Sequence, residues 1–88
     1  MAEIKTFKAA VEAVKGLSKD PGQATKLALY AIYKQATEGD IEGKRPGFTN
    51  PVGRAKYDAW AELTGTSTKD AEAKYVATVR DLVAAEKD

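Results

Sequence analysis

Tyr30, Tyr33 and Lys34 stand at spacings of three, four and one within the stretch ALYAIYKQATEGD, residues 28–40. On a helix, positions three and four apart share one face, and this face also carries Leu27 and Ala31. Two phenols and an ammonium therefore sit where an amphipathic helix normally shows hydrocarbon. Two readings fit. In the first, the tyrosines are packing residues with their hydroxyls at the rim, and Lys34 runs its stem along apolar surface with its charge in water. In the second, the face lines a concave site. There an aromatic ring stacks on a flat ligand ring, while lysine and a phenol hydroxyl hold an anion.

A second cluster follows in KRPGFTNPVGRAKY, residues 44–57, where Lys44, Arg45, Arg54 and Lys56 are interrupted by no acidic residue. The whole chain carries a net charge of only +1, so the cations are locally segregated. They read either as a solvated face beside Asp40 and Glu42 or as an anion site, such as one for a phosphate. Lys56 and Trp60 are four apart and share a helical face, with Tyr57 on a neighbouring one. Tyr75 falls on the apolar side of the last helix, as a core tyrosine would. Lys15 lies near a helix end, where a lone lysine ordinarily complements the dipole.

The chemistry available is narrow. The 88 residues include no Cys and no His. Disulfides, thiolate nucleophiles, the commonest general base and the usual metal ligand are thereby absent. Gly39, Gly43 and Gly47 match neither phosphate-loop nor dinucleotide spacing. No pair of carboxylates sits in an apolar context suited to acid–base work. No catalytic or metal-binding residue is assigned. Domains that bind nucleic acid through its backbone are usually far more basic than this chain. Basic and aromatic residues do interleave, but only in one region, which suits a small anionic, ring-bearing ligand better than a strand. No apolar run is long enough to span a membrane, and the amphipathic N-terminus does not read as a secretory signal. A soluble, cytoplasmic monomer is the expectation.

Four helices must position these groups. Ile4, Phe7, Val11, Val14 and Leu17 step by three and four, a stripe that predicts a helix over about 3–17. In DPGQ, Asp20 is expected to cap a second helix over 21–38, with Pro21 in its first turn and Gly39 as its stop. Residues 39–50 hold three of the seven glycines and form a long loop. Asn50 and Pro51 open a third helix over 51–64. Ser67 caps a fourth over 67–86, with Tyr75, Val76, Val79, Leu82 and Val83 on one side. The fold class is all-α, a four-helix bundle. Short links make neighbours antiparallel, and the long link permits a crossover that leaves helices two and three parallel. Large apolar residues are few, so a groove is expected in place of a solid centre.

Taken together, YKQATEGD (33–40), RPG (45–47), KYDAW (56–60), GTS (65–67) and an Ala-x-x-x-Tyr ending at Tyr75 resemble the acyl-CoA-binding protein family, in order and spacing along essentially the whole chain. The resemblance implies one acyl-CoA-binding domain over 1–88, an up-down-down-up four-helix bundle, and no enzymatic activity. It implies binding and pooling of medium- and long-chain fatty acyl-CoA, with no cofactor beyond that ligand. Transient contact with acyl-CoA-using enzymes or membrane surfaces is compatible with it; nucleic acid is not a partner.

By the same resemblance the ligand positions are Lys15, the run Tyr30, Ala31, Ile32, Tyr33 and Lys34, then Lys56 and Tyr75. Tyr30, Lys34 and Lys56 correspond to contacts with the ribose 3′-phosphate, and Tyr33 to the adenine-stacking position. Tyr75 and Lys15 correspond to contacts at the nucleotide end. Some positions depart from the family's usual pattern. Tyr57 stands where Trp is usual, and Lys26 where an apolar residue near the acyl chain is common. Gln23 and Asp20 replace residues that are often acidic and basic. Two other readings therefore compete: a helical interaction module that keeps the fold with altered acyl-CoA binding, and an enzyme or an enzyme's binding module.

Overall fold

Where each helix begins is decided by a local competition for backbone N–H groups. The structure, a computed structural model, describes residues 4–86. It contains α1 (Phe7–Lys15), α2 (Gln23–Glu38), α3 (Pro51–Ala61) and α4 (Thr68–Glu86), with no strand among the described residues.

The helices are shorter than the periodicity suggests. Residue 3 lies outside the described residues, and the chain at 4–6 is not helical. Thr6 is the N-cap of α1, its Oγ1 accepting from the Ala9 N–H at 3.1 Å. Ile4 still packs against the core from outside the helix, which is why it fits the apolar stripe without belonging to α1. The second helix starts at Gln23, not at residue 21, and Asp20 is not its cap. The Asp20 carboxylate is taken by the Gly22 N–H at 2.8 Å and the Lys26 ammonium at 2.9 Å. Gly22 occupies the cap at φ +93°, a left-handed conformation that no helix continues. The third helix ends at Ala61 and not at 64. Bonds from Leu63 N–H to Trp60 and from Thr64 N–H to Ala61 tighten the chain into i→i+3 turns. Asn50 and Ser67 act as caps, accepting from the Gly53 and Asp70 N–H groups, each at 3.1 Å.

Meeting points between helices set their directions. At one end of α1, the Phe7 ring is 5.1 Å from that of Tyr75. At the other, Ser18 and the Lys19 N–H bond Glu86, the last residue of α4. α1 and α4 therefore run the same way. Lys56 meets Tyr30 early in α3 and Trp60 meets Gln35 late in it, so α2 and α3 are parallel. Gln35, near the end of α2, bonds the Thr66 carbonyl just before α4, so these two are antiparallel. The bundle is up-down-down-up. Laterally, α4 packs on α1 and α2, and α2 packs on α3, while the α1 and α2 backbones stay apart.

The core is built of Ala10, Leu29, Ile32, Ala36, Ala71, Tyr75 and Val79. At its end sits Gln35, fully buried. Its amide donates to Asp40 at 2.8 Å and to the Thr66 carbonyl at 2.9 Å, and its carbonyl accepts from Trp60 Nε1 at 3.1 Å. Trp60 Nε1 also reaches the Gly39 carbonyl, and Asp40 accepts from the Gly65 N–H. This network joins the end of α2, the end of α3 and the start of α4. The long 39–50 loop is pinned to α3 by Tyr57, whose hydroxyl donates to the Gly43 carbonyl at 2.9 Å. Arg45 adds a bidentate pair with Asp58 at 2.7 and 2.6 Å.

Candidate functional site

Parallel α2 and α3 leave a groove between their N-terminal halves. It is lined by Gln23, Ala24, Lys26, Leu27 and Tyr30 on one wall and by Pro51, Val52, Ala55 and Lys56 on the other. Its volume is about 600 Å³, within the range of sites that enclose small molecules. Few of these side chains have enough bulk to close it, as the shortage of large apolar residues suggests. Lys26 does not put its charge into the groove. Its ammonium is bound to Asp20, leaving the methylene stem as lining.

The groove ends at a cationic, aromatic corner. Lys56 Nζ lies 5.0 Å from the centroid of the Tyr30 ring, and Lys34 Nζ lies 5.9 Å from it. Lys34 is also 5.7 Å from the Trp60 ring. All three distances suit cation–π attraction. The structure thus brings Tyr30, Lys34 and Lys56 together from two helices. Lys34 is held by Glu38, one turn on, at 2.6 Å. That hydrogen bond raises the Lys34 pKa above the ordinary lysine value. Two like-charged ammonium groups around one phenol form a site that favours a multiply charged anion.

A second aromatic group lies on the α1 side of α2. Tyr33 is 5.8 Å from Phe7 and 6.3 Å from Tyr75, measured between ring centres. Phe7 and Tyr75 meet edge to face. Tyr75 is buried, and loss of solvation pushes its hydroxyl pKa up. Tyr33 is 40 % exposed, so part of its ring is open to a partner. Tyr30 and Tyr33 therefore diverge: one turns toward α3, the other toward α1. The single shared face suggested by their spacing is in fact two adjacent ones.

The remaining expected positions fall differently. Ala31 and Ile32 are buried, with Ile32 in the core cluster; their side chains support α2 from behind. Lys15 ends α1 and pairs with Glu12 at 3.6 Å. Three contributors were not apparent from the sequence. Phe7 looked like one more member of an apolar stripe. Gln35 carried no signal, because nothing local distinguishes a buried amide from an exposed one. Glu38 was legible only as the end of the second helix.

Known proteins match this arrangement. The family described as Acyl CoA binding protein matches residues 4–79. An acyl-CoA-binding protein of Dictyostelium discoideum is 44 % identical over 77 residues, covering 88 % of this chain and 92 % of that one. One from Saccharomyces cerevisiae is 44 % identical over 78 residues, covering 89 % of this chain and 90 % of its own length. The crystal structure of Oryza sativa Acyl-CoA-Binding Protein 2 superposes with a TM-score of 0.86 at 37 % identity, covering 92 % of this chain and 90 % of that one. The family match over residues 4–79 spans α1, α2, α3 and most of α4, and the chain belongs to the acyl-CoA-binding protein family.

Proposed function

We propose that this protein binds medium- and long-chain fatty acyl-CoA esters and carries them as a soluble pool, without catalysis. The observation that carries this reading is the groove between α2 and α3. Its largely hydrocarbon walls end at Tyr30, with two lysines beside the ring. Such a shape suits an amphiphile with a polyanionic head and a long apolar tail. Its expected setting is the cytoplasm, as a monomer, in transient contact with acyl-CoA-using enzymes or membranes.

In this reading Lys34, Lys56 and the Tyr30 hydroxyl hold the ribose 3′-phosphate. Each charge-assisted hydrogen bond contributes roughly 1.5–3 kcal/mol. Adenine stacks on the open face of Tyr33 for about 1–3 kcal/mol. Tyr75 supports that ring from α4. Lys15 joins the nucleotide end only if its ammonium leaves Glu12 for the ligand. The acyl chain lies against Leu27, Ala55 and Val52 and gains about 0.8 kcal/mol per buried methylene. Neither Lys26 nor Tyr57 obstructs the groove: one turns its charge to Asp20, the other holds the loop.

Titration calorimetry with palmitoyl-CoA, free CoA and palmitate tests the proposal. The ester should bind tightest, because only it fills both the corner and the groove. Equal affinity for all three, or none for the ester, would overturn it.

A further inference from the structure

We propose that Glu38 is a built-in competitor for the anion that Lys34 holds, and that it sets how tightly phosphate-bearing ligands bind. The inference rests on the role given to Lys34 above. The Glu38 carboxylate lies 2.6 Å from the Lys34 ammonium. That ammonium is the one between the Tyr30 and Trp60 rings, at 5.9 and 5.7 Å. The Lys34 side chain is only 29 % exposed, whereas that of Glu38 is 53 % exposed. The more exposed carboxylate thus pairs with a more covered cation that also lies near two aromatic rings.

Helix stability does not account for an acid here. A lysine four residues before a glutamate is the weaker order for such a pair. Glu38 is the last residue of α2, where the helix dipole disfavours a carboxylate, and no basic residue stands in that last turn. The acid is therefore in an unfavourable place for the helix and in direct contact with the site. A phosphate arriving at Lys34 either displaces Glu38 or sits beside it and is repelled. The ammonium has three donors, so it can pass from one anion to the other without being uncovered. A carrier must release its cargo, and a resident carboxylate that reclaims the lysine favours release.

Glu38→Gln keeps the shape and removes the charge. It should tighten palmitoyl-CoA binding by about three- to fivefold, the scale of one partly exposed charge pair. 3′-Dephospho-palmitoyl-CoA should change by less than about twofold. The gain should disappear when Lys34→Ala is present, and Glu38→Ala should behave as Glu38→Gln does. Unchanged or weaker ester binding, an equal gain for both ligands, or a gain that survives Lys34→Ala would each overturn the inference while leaving the carrier reading standing. Absence of palmitoyl-CoA binding by the unsubstituted protein would overturn the carrier reading and this inference with it.

Discussion

The Lys56 ammonium on α3 lies 5.0 Å from the centre of the Tyr30 ring on α2. These residues are far apart in the chain and meet because the two helices run parallel. With Lys34 also beside the same ring, the corner has positive charge from two separate elements. An anion bound there also bridges α2 and α3.

Lys34→Ala and Lys56→Ala should each weaken palmitoyl-CoA by at least about tenfold, corresponding to one charge-assisted hydrogen bond. The 3′-dephospho ester should lose far less. Calorimetric titration of both ligands against both variants checks this. Equal losses for the two ligands would mean that the lysines do not read that phosphate.

Gln35 should be one of the most sensitive positions in the fold. Replacing it by Ala removes the acceptor for Trp60 and the donor to Asp40 and Thr66, and leaves buried polar groups short of partners. The expected cost is about 2–4 kcal/mol, combining those losses with a small cavity. Trp60 is the only tryptophan, so its fluorescence during urea unfolding reports the change directly. A loss below about 0.5 kcal/mol, the range of ordinary surface substitutions, would show that the network is not needed.

Acid should weaken the same end of the bundle. The Gly65 N–H, followed by Gln35, holds the Asp40 carboxyl below its usual range. A carboxyl with a depressed folded pKa contributes stability above its unfolded pKa of about 3.9 and loses it as pH falls through the folded value. Asp20, Asp58 and Glu86 are also held low by hydrogen bonds, from Lys26, Arg45 and the Lys19 N–H respectively, so the melting temperature should fall below about pH 4. Asp40→Ala should melt lower than the unsubstituted protein at pH 7, and the two curves should approach each other in strong acid. Parallel curves down to the lowest pH would show that Asp40 does not contribute through its charge.

Local features of the chain were legible because helix formation is local. The apolar steps of three and four, the Asn50–Pro51 and Ser67 caps and the glycine-rich 39–50 loop announce four helices with one long connection. Errors came at helix boundaries: α1 and α3 end earlier than their patterns suggest, and at two helix starts a side chain had more than one possible partner. Asp20 could cap a helix or close a turn onto Gly22 and bind Lys26, and it does the latter. Thr6 captured the start of α1 that the stripe alone put earlier.

By itself, then, the sequence determined the helical class, the absence of His and Cys chemistry, the segregated cations and the family. Only the tertiary structure decided which of those groups meet. Helical periodicity sets the angle of a side chain about its own axis, but not what stands opposite. Packing of α2 between α3 and α4 turned Tyr30 and Lys34 toward Lys56, put Tyr33 against Phe7 and Tyr75, and buried Ala31 and Ile32. Packing also buried Gln35 among partners from α3 and the two loops that flank it, because the environment of a side chain belongs to the fold and not to its neighbours in the chain.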